Sequence, residues 1–140
     1  AGDFSAVAVW LPPGFSCEQG FQGDRNHRVK EVVTKFSAAE EKYFKDKDHW
    51  ELNFLARDPA KTTKGAISAV VKPFLEKAVK EGLPACLIAV NDHAKEVYEH
   101  FGFKVLETIE LGVGEVNKDG VEDENGEGLR AYLMAFHYNE

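Results

Sequence analysis

The run Ala85-Cys86-Leu87-Ile88-Ala89-Val90 constrains the fold more than any other feature of the chain. A strand with one wet face alternates apolar and polar residues, and this run carries no polar side chain at all. It suits a strand covered on both faces, which occurs where helices are layered over a sheet. Gly82 and Pro84 precede it and Asn91-Asp92 follow it, so the run is punctuated at both ends.

The rest of the chain arranges itself around that strand. Ala6–Leu11 reads as a strand stopped by Pro12, Pro13 and Gly14, and residues 15–23 have loop composition. Asp24 is placed to cap a helix whose apolar positions Val29, Val32, Val33, Phe36, Tyr43 and Phe44 recur at helical spacing. His49–Arg57 alternates, with Trp50, Leu52, Phe54 and Ala56 on one face, and closes at Asp58-Pro59. The loop Lys61–Gly65 leads into a helix over 66–81, ended by Gly82 and expected to kink or lose a hydrogen bond at Pro73. A short helix over 94–101 and a strand over 103–111 follow. Residues 112–128, rich in glycine and acid, are expected to be mobile, and a strand over 129–138 closes the chain. The order β, α, β, α, β, α, β, β defines a mixed α/β layer fold, and 140 residues suit a single domain.

Charge and composition exclude several functions. With 24 acidic and 17 basic residues the net charge is −7, and the basic residues do not cluster, so nucleic acid is not an expected partner. A cationic partner such as an amine suits this field better. Cys86 sits inside the apolar run, and two cysteines make no disulfide framework, so a reducing, cytoplasmic setting is expected. The apolar stretch over 6–13 is far short of the roughly 20 residues that span a bilayer, and no secretory leader opens the chain, so no membrane is expected. No metal is expected either. The five histidines lack zinc spacing, and the acidic loop lacks the calcium ligand order. There is no phosphate-binding Walker loop and no G-x-S-x-G elbow.

One segment points to chemistry. A strand, then Asp58-Pro59-Ala60-Lys61-Thr62-Thr63-Lys64-Gly65, then a helix would aim unpaired backbone N–H groups and a helix dipole at one point. That arrangement suits phosphate, with Lys61 and Lys64 adding charge; an ordinary turn with solvated lysines has the same composition. Asn91 stands at a strand's carboxyl end, a common place for ligand contact in open α/β sheets. Tyr98 precedes the turn Phe101-Gly102-Phe103 and is either a core aromatic or a hydroxyl at a rim.

Taken together, the segment from His49 to Val105, the opening AVAVWLPPG and the closing LRAYLMAFHY resemble the GNAT superfamily of N-acetyltransferases, in the right order. The stretch NDHAKEVYEHFGFKV carries the most specific part of the likeness. The resemblance implies a mixed, mostly antiparallel sheet flanked by helices, with acetyl-CoA as cofactor and acetyl transfer to a small-molecule or peptide amine. It implies that main-chain groups of Leu55, Ala56 and Arg57 hold the pantetheine like an added strand. The family's pyrophosphate loop falls on Thr62, Thr63, Lys64, Gly65, Ala66 and Ile67. By the same resemblance Asn91 steadies the pantetheine and Tyr98 protonates the leaving thiolate. Glu51 is a candidate general base.

This sequence departs from the family pattern at three points. Thr62 stands where glutamine or arginine is usual, and Ile67 where a small residue is usual. The chain also opens at what looks like the family's third strand, so it corresponds to about two thirds of the usual fold. Those departures leave a second expectation beside the enzyme: a truncated or degenerate GNAT-fold module with a binding or structural role and no catalysis. They also imply a fragment of a longer acetyltransferase, a partner chain that completes the fold, or self-association at the exposed edge of the first strand.

Overall fold

The structure, a computed structural model, describes residues 4–15, 27–61 and 63–139. Its elements follow the expected order: β1 (Ala6–Leu11), α1 (His27–Phe44), β2 (Trp50–Arg57), α2 (Ala66–Glu81), β3 (Ala85–Ala89), α3 (Asp92–His100), β4 (Lys104–Leu111) and β5 (Leu129–Phe136). The five strands form a mixed, mostly antiparallel sheet in the order β1-β2-β3-β5-β4. Asp24, expected to cap α1, lies outside the described residues, as does Thr62. None of the described helices is long and apolar enough to cross a membrane.

Contacts divide the chain into two compact units. The first holds β1, β2, α2, residues 85–87 of β3 and the last residues of β5; the second holds α1, α3, β4 and the rest of β5.

In the first unit β1 and β2 pair antiparallel from Ala6↔Arg57 to Leu11↔Glu51. One residue of β2 is extra: Val9 pairs with Phe54 but Trp10 pairs with Leu52, so Asn53 forms a bulge. That bulge corrects the expected alternation. Trp50 and Leu52 are buried, but Phe54 is exposed, because the extra residue breaks the two-residue period. α2 packs on this ribbon through Phe74, which stacks on Trp10 at 5.2 Å and meets Trp50 edge-on at 5.8 Å. Both indole N–H groups are satisfied on the same helix, Trp10 by the carbonyl of Val70 and Trp50 by the carboxylate of Glu81.

α2 continues through Pro73, whose missing N–H costs the helix one hydrogen bond, one of the two expected outcomes. The helix has other anchors to offset the missing donor. At its end Gly82 is left-handed (φ 72°), its N–H bonds to Val79 and the N–H of Leu83 bonds to Ala78. Those paired bonds make a Schellman cap, and glycine takes the left-handed position without a Cβ penalty.

In the second unit residues 112–128, expected to be mobile, are folded as consecutive turns. Val116 is buried, bridges to Glu122, and its carbonyl accepts from the Gly128 N–H. Gly126 has no room for a side chain, since a Cβ there would fall 1.9 Å from the Val116 carbonyl oxygen. The glycines that suggested mobility are thus partly packing requirements. Glu31 on α1 ties this region down, accepting from Lys35 at 2.8 Å and from the Gly112 N–H at 3.1 Å.

The Lys35 hydrogen bond, helped by the Gly112 N–H and opposed by burial, holds the Glu31 carboxyl below its ordinary value of 4.5. A depressed folded-state value stabilises the fold above the unfolded value, and that contribution is lost as pH falls through the folded one. Glu31→Gln should therefore lower the urea midpoint at pH 7, and the gap to wild type should shrink as pH drops below 4.5. Urea titrations at pH 7 and pH 3 check this; a gap of equal size at both would contradict it.

Candidate functional site

The expected cofactor residues of the first unit fall on one continuous path: the second half of β2, the loop after it and the first turn of α2. β2 has two different edges. Toward β1 it is paired along its length, to Ala6↔Arg57. Toward β3 it is paired in parallel at Trp50↔Ala85 and Glu51↔Cys86, its first two residues. Residues 52–57 continue β2 beyond those two pairs. Leu55, Ala56 and Arg57 all lie on this stretch. Asn53, where the bulge adds its residue, is exposed.

The loop ends at a helix whose first amides lack partners within the helix. Asp58 turns the chain, its carboxylate accepting from the Ala60 N–H at 2.9 Å and its carbonyl accepting from Lys61 at 3.1 Å. Gly65 precedes α2 in the left-handed region (φ 75°), and no side chain caps the helix. The first intrahelical bond near this end is Ala69 N–H to the Gly65 carbonyl, so the amides of Ala66, Ile67 and Ser68 have no carbonyl one turn back. Thr63, Lys64 and Gly65 are exposed, Ala66 is buried and Ile67 is half-buried. The structure thus brings Thr63 to Ile67 together as one turn; Thr62 lies outside the described residues.

Glu51 sits at the end of the β1–β2 ribbon, opposite Leu11 on one side and Cys86 on the other, and is half-buried. Its neighbours Trp50 and Leu52 are buried, and Trp50 packs on α2, so strand alternation turns Glu51 to the face away from that helix.

Asn91 and Tyr98 belong to the second unit. Asn91 is extended (φ −160°) and its Oδ1 accepts from the Ala94 N–H at 2.7 Å, so its side chain caps α3. This gives the exposed asparagine a structural duty that leaves its amide nitrogen unused by that bond. Tyr98 is half-buried, its ring edge-on to Phe103 at 6.0 Å, and burial pushes its phenol above the ordinary value of 10.0. The first turn of α3 is further fixed by the buried Tyr132, whose hydroxyl donates to Asp92 while Lys95 lies 4.8 Å over its ring.

A shallow depression in the second unit is lined by His27, Arg28, Glu115 and Glu122. It is a surface of ion pairs, Glu115 accepting from His27 at 2.8 Å and Arg28 at 3.0 Å, and it contains none of the residues selected from the sequence. Among the described residues no group of three or more His, Cys, Asp or Glu could hold a metal ion.

Two features were not read from the sequence. One is the Asn53 bulge, for which the sequence carries no signal, because a polar residue at 53 is in phase with the apolar alternation of β2. The other is Ser5, fully buried just before β1 and bonded to the loop at Thr63.

No family model matches the sequence. An uncharacterised Saccharomyces cerevisiae protein is 34% identical over 144 residues, covering 96% of this chain and 58% of that protein. An uncharacterised N-acetyltransferase of Schizosaccharomyces pombe is 24% identical over 127 residues, covering 79% of this chain and 51% of the other. The chain therefore spans little more than half the length of these curated relatives. Among solved structures, a Drosophila melanogaster polyamine N-acetyltransferase superposes with a TM-score of 0.66 at 12% identity, covering 95% of this chain and 69% of that one. The chain has the fold of the GNAT N-acetyltransferases.

At Gly65 a Cβ would meet nothing within 4 Å, so only the left-handed backbone demands glycine there. Gly65→Ala should cost about 1–2 kcal/mol in urea unfolding, the penalty of that conformation for a residue with a Cβ. A cost near zero would show that the turn before α2 is free to change its shape.

Proposed function

We propose that this chain carries the acetyl-CoA-binding machinery of an N-acetyltransferase that acetylates an amine. The observation that carries the reading is that β2 pairs with β1 as far as Arg57 while its pairs with β3 sit at Trp50 and Glu51, from which we infer a free edge beyond them. Its free edge offers main-chain donors and acceptors to the amide-containing pantetheine arm, as an edge strand offers them to an added peptide. The same strand delivers the chain into a turn whose unused amides, at a helix N-terminus, suit a pyrophosphate. Both parts lie in one unit and in the order that a single extended ligand needs. The residues thus fit acetyl-CoA, which when bound supplies the acetyl group as an activated thioester.

In this reading Leu55, Ala56 and Arg57 hold the pantetheine through their main chain. Thr63 to Ile67 receive the pyrophosphate, with Lys64 adding a screened positive charge. The bulge at Asn53 frees backbone groups from the ladder, and an N–H there is suited to hold the acetyl carbonyl oxygen as charge develops on it. Glu51 takes the proton of the attacking amine, directly or through water. Tyr98 donates its proton to the departing sulfur, and the burial that raises its pKa keeps that proton in place at neutral pH. Asn91 enters through the family resemblance, with its amide nitrogen as the group available to a ligand. The net charge of −7 favours a cationic acceptor over an anionic one.

A second reading, a GNAT-fold module that performs no catalysis, draws on one observation. Ile67 puts a β-branched side chain in the first turn of α2, where close approach of a ligand to the amides favours a small residue.

A thermal-shift titration separates the two. Acetyl-CoA at 100 times its dissociation constant should stabilise the chain by about 2.7 kcal/mol if it binds the native state alone. No shift at millimolar acetyl-CoA would favour the module. With an acceptor amine in hand, Tyr98→Phe should lower turnover by roughly 10²-fold, the share of one acid–base group, while acetyl-CoA affinity stays unchanged. Loss of folding instead of rate would assign Tyr98 to the core.

A further inference from the structure

Ser5 is a polar residue with no exposed surface, and among the described residues it is the one buried polar side chain. A hydroxyl in such a place is retained at a cost unless it makes a hydrogen bond, and alanine would fill nearly the same space. The bond it makes reaches far along the chain: its Oγ donates to Thr63 Oγ1 at 3.1 Å, across 58 positions of sequence. Its carbonyl also accepts from the Asp58 N–H at 2.9 Å. Ser5 thus grips the β2–α2 loop at both ends, where it leaves the strand and just before it enters the helix. Thr63 is gripped a second time, its carbonyl accepting from Arg57 Nη2 at 3.2 Å.

The approach to Ser5 is itself strained. Phe4 holds φ at 55°, a left-handed conformation that a residue with a Cβ seldom adopts, and its ring is 88% exposed, so packing of that ring does not explain it.

We propose that Ser5 is a positioning residue for pyrophosphate recognition. Its hydroxyl, with the Arg57 guanidinium, fixes the orientation of Thr63 and so aims the peptide groups from Thr63 to Ile67 before any ligand arrives. An anion held by several main-chain donors gains from each only if they already converge, because reorienting them on binding would offset the bonds formed. The inference rests on the acetyl-CoA reading given above and adds to it a residue outside the loop and helix that touch the ligand.

The test compares two ligands that share the acyl-pantetheine arm and differ in the pyrophosphate: acetyl-CoA and acetyl-pantetheine, each titrated by NMR up to millimolar concentration. Wild type, Ser5→Ala, Thr63→Val and the double variant are the proteins. Each single substitution should weaken acetyl-CoA about fivefold, the worth of one neutral hydrogen bond. Acetyl-pantetheine should bind all four proteins alike. The double variant should be no weaker than either single one, because both changes remove the same bond. Thr63 is exposed, so Thr63→Val keeps the test open if Ser5→Ala fails to fold. Equal weakening of both ligands, additive losses, or unchanged acetyl-CoA affinity would overturn the positioning role and leave the acetyl-CoA reading standing. Failure of wild type to bind acetyl-CoA would instead overturn that reading, and this proposal with it.

Discussion

The proposed site depends on a single asymmetry: β2 pairs with β1 as far as Arg57, while its pairs with β3 sit at Trp50 and Glu51. Backbone donors and acceptors that leave a ladder must find water or another partner, and a buried strand edge would not tolerate their loss. Here Asn53, Phe54 and Arg57 are exposed, so in the proposed reading solvent can serve the edge until a ligand replaces it. Exchanging water for ligand amides yields only about 0.5–1.5 kcal/mol per bond. Several such bonds along one strand are therefore needed, which is why the length of the unpaired stretch matters more than any one residue in it.

The loop and helix inherit their positions from the same ribbon. Phe74, lying between Trp10 and Trp50, sets α2 against β1 and β2, and both tryptophan N–H groups are bonded to that helix. The distance from the end of β2 to the start of α2 is thereby fixed by packing, and the loop only has to span it. Asp58 shapes its first turn, Gly65 its last, and Ser5 ties the two ends from β1. Strand and helix N-terminus thus lie within one unit.

Much of this was legible in the residues. The apolar run 85–90 required a doubly covered strand, and all of 85–87 and 89 are buried. Gly82 followed by Pro84 ended α2 where a Schellman cap ends it, and the element order emerged without error. What escaped were features set by tertiary contact. A bulge changes the phase of a strand by one residue, and nothing local in Asn53-Phe54 distinguishes it from a plain alternation. Ser5 looked like an unremarkable residue before a strand, because its partner lies 58 positions away. In residues 112–128 composition suggested mobility, whereas Gly126 and Gly128 are there because the Val116 and Leu111 carbonyls leave no space for a Cβ.

The central claim is that the free edge of β2 and the turn before α2 receive one extended ligand. Amide hydrogen exchange, resolved by residue, with and without saturating acetyl-CoA tests it most directly. Amides of β2 that point toward β1 are already bonded and should change little. The alternate amides between Leu52 and Arg57, and those from Thr63 to Ser68, should exchange markedly more slowly once the ligand is bound. Binding accompanied by unchanged exchange in both segments would contradict the account.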